Sequence, residues 1–201
     1  MKLKYIGIGA PAAPMSAPDT VHAKSFSLRV GTPEHSAASS ESRIARSFQV
    51  PRPFHSMSVL ENLLVPYQYV AHLKDTEAEQ QAMDILRRIG LAEKAHAQSN
   101  QLSQVELRKL ELARAMAARP RLLISDEAMA GLSGSEVDEV LRILLDLNAA
   151  GITIIMIEHI MQAVMRFSDR VMCLDAGRII AIGTPSEVMA NQRVQEAYLG
   201  T

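Results

Sequence analysis

Two adjacent acids, Asp126 and Glu127, close the nearly all-apolar run Arg121–Ser125, and a second apolar run, Ile152–Ile157, leads into Glu158 and His159. Carboxylates at the end of a buried strand can take separate roles, Asp126 holding a Mg2+-bound water and Glu127 polarising an attacking water. Ligands of an open parallel sheet collect beyond the carboxyl ends of its strands, so an imidazole at His159 could approach the same edge and contact a phosphate. The plainer reading makes one acid a turn cap, leaves the other solvated, and treats His159 as a solvated residue or helix cap. Two polar sites ending adjacent strands strengthen each other, because both would face one crevice.

The elements that must hold these residues are legible from Arg43 onward. Helix starts are marked by a Ser or Thr followed three residues later by Glu, a pair that satisfies exposed backbone donors reciprocally. Such pairs are Ser58/Glu61, Thr76/Glu79, Ser103/Glu106, Ser133/Glu136 and Thr184/Glu187, the last with Pro185 at the first helical position. The pattern predicts helices near 58–65, 76–89, 104–118, 135–149, 159–167, 185–190 and 192–199. Strands are expected at Arg121–Ser125, Ile152–Ile157, Arg170–Leu174 and Arg178–Ile182, the first two apolar enough for parallel strands covered on both faces. Strand, helix and strand over 121–157 make a βαβ unit with a right-handed crossover. Asp175, Ala176 and Gly177 suit a tight hairpin. Residues 55–118 show helices and no clear strand. The expectation is therefore an α/β core, about 119–201, with a helical subdomain at about 55–118. Residues 1–42, with Pro11, Pro14, Pro18 and Pro33 and a Ser/Ala run at 36–40, keep no period and read as irregular or disordered.

Composition excludes several function classes. Across 201 residues the chain is 48% hydrophobic and 21% charged with a net charge of −1, which gives no support for binding nucleic acid or an anionic membrane surface. No apolar run approaches the roughly 20 residues a membrane-spanning helix needs, and Pro11 and Pro14 interrupt any secretory signal. Cys173 is the sole cysteine, so no intrachain disulfide forms and a reducing, cytoplasmic compartment fits. Its apolar neighbours make it a small core residue. Met161 and Met165 are four apart and read as core packing, and His22, His35, His55, His72 and His96 lack ligand spacing.

Taken in order, the segments Ala45–Gln49, Met57–Asn62, Leu102–Ser103, Leu110–Ala115, Leu122–Glu127, Ala130–Leu132 and Ile157–His159 resemble an ATP-binding cassette (ABC) ATPase. The ending Gly183–Met189 followed by Arg193–Gly200 is most similar to subunits of branched-chain amino acid importers. The resemblance covers 43–201, about four-fifths of the chain. It implies a P-loop NTPase-like core, a mostly parallel sheet with flanking helices, binding ATP with Mg2+. It also implies roles: Gln49 as the glutamine that senses Mg2+ and couples to the membrane subunit, Asp126 as the Mg2+-site aspartate, Glu127 as the catalytic glutamate and His159 as the γ-phosphate switch. Ser103 stands at the signature motif, and Ala130, Gly131 and Leu132 in the loop that crosses a dimer interface. Implied partners are membrane permease subunits, a second ABC ATPase subunit and, indirectly, an extracytoplasmic binding protein, with the chain peripheral on the inner membrane face.

Two departures qualify these expectations. A phosphate loop needs Gly-x-x-x-x-Gly-Lys-Ser/Thr, so that backbone N–H groups curl round the phosphates ahead of a helix. Here the one Lys-Ser pair is Lys24-Ser25, with Ala23 and Pro18 where the glycines belong, and proline offers no N–H. In the signature, Val105 stands for a glycine and Glu106 adds negative charge where a phosphate would approach. The N-terminal part of the domain therefore reads as missing or irregular, as a frameshift or deletion junction near Arg43 would leave it, with the ATPase truncated or impaired. The alternative is a non-hydrolysing partner that completes another ABC ATPase's nucleotide site.

Overall fold

In a computed structural model the described residues are 4–9 and 44–199. Helices and short strands follow one another much as the periodicity predicts. Strands are β1 (Lys4–Gly9), β2 (Ile44–Ser47), β3 (Leu122–Asp126), β4 (Thr153–Glu158), β5 (Arg170–Asp175) and β6 (Arg178–Gly183). Helices are α1 (Val59–Tyr69), α2 (Asp75–Arg88), α3 (Gln104–Ala117), α4 (Gly134–Ala149), α5 (Met161–Phe167), α6 (Pro185–Ala190) and α7 (Gln192–Leu199).

Four of the expected Ser/Thr–Glu pairs do start helices. Ser58 N–H donates to Glu61 Oε2 at 2.7 Å, and the same reach recurs at Ser103, Ser133 and Thr184. The Ser58 and Thr184 N–H bonds hold the carboxyls of Glu61 and Glu187 below the usual range, and at Glu136 the Ser133 hydroxyl does so first, with the Ser133 N–H second. Thr76/Glu79 is different. Helix α2 begins at Asp75 with Lys74 as its cap residue and no side-chain cap bond; the acids of its first turn, Asp75 and Glu77, suit the helix dipole and accept from Gln68 and Gln81 instead of capping.

The six strands form one sheet in the order β2-β3-β4-β1-β5-β6. The unit β3-α4-β4 is parallel, as expected, and β2 joins it in parallel. Hairpin β5-β6 turns at Ala176 (φ 46°) and Gly177 (φ 78°), the two left-handed residues a tight antiparallel turn requires. The sheet is mixed rather than mostly parallel, because β1 runs antiparallel to both β4 and β5. Strand β1 also corrects the reading of 1–42 as irregular throughout; the rest of that segment lies outside the described residues. Packing explains why the strand forms: a Cβ on Gly7 would sit 1.8 Å from Ser168 Oγ, and one on Gly9 2.8 Å from Phe167. The glycines let α5 lie directly on β1.

One sheet face is core. Tyr5, Leu123, Ile154, Met156, Val171 and Cys173 are buried there with Leu141, Leu144 and Phe167 from the helices. Burial raises the Cys173 thiol, consistent with an inert core residue. The other face carries Ile6, Ile8, Leu122, Ile124, Ile155 and Ile157, half-buried and outside the core cluster of the described residues. β3 and β4 thus alternate in burial instead of being covered on both faces. Among the described residues, no helix is long and apolar enough to cross a membrane.

Candidate functional site

Parallel pairing decides where the candidate residues meet. In register, Ser47 lies beside Ser125 and Asp126 beside Ile157, so β2, β3 and β4 all end at one edge. Gln49, Asp126, Glu127 and His159 follow those ends. Gln49 Nε2 donates to Glu127 Oε2, joining the two residues that resemblance singles out on separate strands. Glu127 adopts φ 47°, and its N–H donates to Ile157 O at 2.8 Å, which turns the chain sharply off β3.

Asp126 is paired with a cation to which the sequence motifs assign no role. Arg46 Nη2 reaches Asp126 Oδ2 at 2.6 Å, and the guanidinium also lies over Phe48, 5.6 Å from its centroid. The two residues sit on adjacent strands of the sheet, although 80 positions separate them in the chain. Arg46 can be found from the sequence only once β2 and β3 are known to be parallel neighbours.

The turn after Gln49 is fixed from behind. Buried Asn62 accepts from Phe54 N–H at 2.8 Å and donates to Phe54 O and Ser58 O. Arg114 of α3 donates to Arg52 O at 2.8 Å, pairs with Glu111 and stacks 4.9 Å from the Phe54 centroid. The stretch carrying Gln49 is therefore anchored to α1 and α3, whose sequences contain no other sign of that role.

Ser103 and Gly131 lie together on the neighbouring flank. Ser103 caps α3, and a Cβ on Gly131 (φ 78°) would come 3.1 Å from Gln104 Nε2 at the start of that helix. The Glu106 charge is not free here: Lys94 Nζ approaches its Oε1 at 2.6 Å. Burial by itself would raise this carboxyl, but the Lys94 and Ser103 contacts outweigh it and hold it low. The charge expected to oppose a phosphate is thus locally neutralised.

Glu158 links the two flanks. It is 1% exposed, Oε1 accepts from Met129 N–H at 3.0 Å, and burial pushes its carboxyl above the usual range against that bond and the nearby imidazole. His159 stays partly open, its side chain 39% exposed and Nδ1 3.9 Å from Glu158 Oε2.

Gln49 and Asp126 offer oxygens to a Mg2+ ion at this edge, which fits the metal end of a nucleotide site in donor type. Among the described residues no cluster of three or more His, Cys, Asp or Glu could hold a metal alone, so phosphate or water oxygens would have to complete the shell. The described residues do not fit a phosphate cradle. Strand β1 lies between β4 and β5 but points the other way: Tyr5 pairs with Glu158 at the site edge, whereas Gly9 pairs with Ile154 near the far edge. Gly9, the last described residue of this segment, therefore lies away from Asp126 and Glu127.

Comparison with known proteins shows the family and the fold. The family model described as ABC transporter matches residues 17–130, more than half of the chain. The chain belongs to the ABC transporter family. A second model, described as branched-chain amino acid ATP-binding cassette transporter, matches residues 178–201. The high-affinity branched-chain amino acid transport ATP-binding protein LivG of Escherichia coli K12 is 38% identical over 172 residues, 78% of this chain and 68% of the relative. BraF of Pseudomonas aeruginosa, of the same description, is 35% identical over 185 residues, 85% of this chain and 72% of the relative. Among solved structures, the ATP-binding cassette MJ1267 in its ADP conformation superposes with a TM-score of 0.70 at 27% identity, over 82% of this chain and 71% of that one. The α/β ABC cassette fold expected from the sequence is the fold observed. The family match begins at residue 17, inside the segment read as irregular.

Proposed function

We propose that this chain is the ATP-binding subunit of an ABC importer for branched-chain amino acids, peripheral on the inner face of the cell membrane, and impaired in holding nucleotide by itself. One observation carries the reading: Gln49, Asp126, Glu127 and His159 gather at one sheet edge in a chain whose last residues match the branched-chain amino acid transporter model. In this reading Asp126 and Gln49 hold Mg2+ with the nucleotide, Glu127 orients the attacking water, and His159 contacts the γ-phosphate. Ser103 and Gly131 face the nucleotide of a second ATPase subunit. Positioning and charge stabilisation dominate phosphoryl transfer, so a chain whose described residues supply no phosphate cradle at this edge is expected to bind ATP weakly and turn it over slowly. Fluorescent-nucleotide titration of the purified chain tests this: weak Mg2+-ATP binding supports it, and tight binding with turnover removes the impairment from the reading.

A cleft of about 850 Å3 between α2, α3 and α4 suits the permease partner. Ile85, Leu112, Met116 and Ile143 form an apolar floor, and Asp84, Arg88, Arg119 and Asp146 ring it. Burial pushes the Tyr67 phenol in its wall up to about 12, so it stays a neutral donor. Pro120 and Ile152 place this cleft at the amino ends of β3 and β4, away from the nucleotide edge. Co-purification with the permease, lost in Ile85→Asp, is the expected result.

A second reading has one specific observation behind it. The capped start of α3 and Gly131 are well formed while β1 runs antiparallel to β4 with Gly9 at the far edge, as suits a non-hydrolysing partner that completes another ATPase's site. Ser103→Ala lowers the ATPase rate of the complex if this holds; an unchanged rate counts against it.

A further inference from the structure

The loop between β3 and α4 is held by two buried, oppositely charged side chains from different elements. From β4, Glu158 Oε1 accepts from Met129 N–H at 3.0 Å. From α3, Arg108 Nη2 donates to Ala130 O at 3.2 Å. The two bonds grip adjacent residues, one by its donor and the other by its acceptor.

Neither side chain is saturated. Arg108 is 7% exposed and Glu158 1% exposed, yet Arg108 Nε and Nη1 and Glu158 Oε2 hold no hydrogen bond among the described residues. Orphaned buried groups of this kind are rare because each forfeits its hydration. Here two donors of Arg108 without a hydrogen bond, and a Glu158 oxygen whose nearest cation is His159 Nδ1 at 3.9 Å, flank the same short loop. Glu158 lies close enough to act on the Arg108 charge, offsetting part of the burial that lowers it. A lone buried ion would be strongly destabilising, and the opposite charges of Glu158 and Glu111 offset part of that cost for Arg108.

We propose that Arg108 and Glu158 are a positioning pair, coupled through buried water rather than by direct contact, that locks residues 129–131 and His159 to the start of α3. Neither residue touches nucleotide. Their action is to make Ser103, Gly131 and His159, which come from three elements, shift as one body. Glu158 precedes His159 in the chain, so fixing its carboxylate fixes the adjoining peptide. Arg108 is one turn into the helix that Ser103 caps. The pairing concerns the chain's own geometry and stands whether or not ATP is bound.

Hydrogen exchange of the full chain, followed by NMR without nucleotide, tests the pair. In Glu158→Gln and in Arg108→Met, the amides of 129–132 are expected to exchange about tenfold faster or more, with β3 and α4 little changed. The double variant is expected to do no more than the larger single one, because the residues act as a unit. Arg108→Met is also expected to move the His159 ring resonances, which a purely local role for Arg108 would leave alone, and Arg108→Lys is expected to restore them in part. Should Arg108→Met fail to fold, Arg108→Lys is read on the same amides, with a smaller change in the same direction. Loop exchange at the wild-type rate, multiplicative effects in the double variant, an unmoved His159 signal, or acceleration spread evenly over β3 and α4 would each overturn the proposal.

Discussion

The two halves of the sheet use the same kinds of residue to opposite ends. In β2-β3-β4 the strands are parallel, so three chain segments far apart in sequence deliver their carboxyl ends to one edge. Polar residues at or just after the ends of adjacent strands then meet without further design: Gln49 with Glu127, Arg46 with Asp126. In β1-β5-β6 every pairing is antiparallel, strand ends alternate between edges, and the residues that follow them are split apart. That half supplies packing, with Gly7 and Gly9 admitting α5, and none of the candidate site residues. Strand direction, more than residue type, separates the functional half from the supporting half.

The sharpest way to break this comparison is to empty the core of one half. Leu123→Ala, in β3 and fully buried, is expected to cost about 2–5 kcal/mol in urea denaturation, through lost burial and a residual cavity. If the halves fold as one unit, circular dichroism and exchange of β5 amides report the same midpoint. A β5 that stays protected after β3 melts would show two units.

Gly7→Val attacks the other half. Displacing Ser168 and α5 is expected to cost about 1–3 kcal/mol, measured the same way. Because α5 follows His159 closely, the substitution also sharpens the comparison: exchange around 159–161 rises while Asp126 stays protected.

Caps come next. Ser58→Ala, which loses the bond from Glu61 N–H, is expected to cost about 1 kcal/mol. The pH dependence carries two signs. Glu61, Glu136 and Glu187 have lowered carboxyls when folded, so their contribution is present above the unfolded value of 4.5 and is lost as pH falls through the folded values. Glu158 is raised when folded: its native form binds the extra proton, and stability falls as pH rises from 4.5 through its folded value. Glu158→Gln should remove that falling limb from the stability–pH profile and leave the acid limb, an outcome that thermal melts across pH would check.

The smallest effect is expected at the pair most visible at the site. Arg46 is half-exposed, so Arg46→Ala should change stability by less than about 1 kcal/mol in the same denaturation assay, with screening by solvent and salt. A larger loss would mean that Arg46 and Asp126 brace the parallel half rather than merely neutralise each other.

Much of this was legible beforehand because it depends on neighbours in sequence. Capping pairs, the apolar runs of β3 and β4, and the hairpin at Ala176 and Gly177 act over a few residues, and all but one formed where local chemistry placed them. Thr76/Glu79 failed as a cap because α2 begins earlier, with Lys74 as its cap residue, leaving Thr76 inside the helix. Of the site, Gln49, Asp126, Glu127 and His159 were singled out from strand ends and family order, and the fold brings them to one edge.

What the amino-acid sequence could not determine is anything that rests on contacts across long separations. The direction of β1 is one case: Lys4–Gly9 reads as an unpatterned, glycine-rich stretch, and only the close approach of Ser168 and Phe167 explains its glycines. Arg46 beside Asp126, and Arg108 and Glu158 gripping one loop from two elements, are others. A buried charge is tolerable only opposite its partner, and the partner is named by the packing of elements, not by their order. Sequence alone determined which residues could do chemistry; tertiary structure decided which of them face one another, because pairing direction and close packing are properties of the assembled sheet.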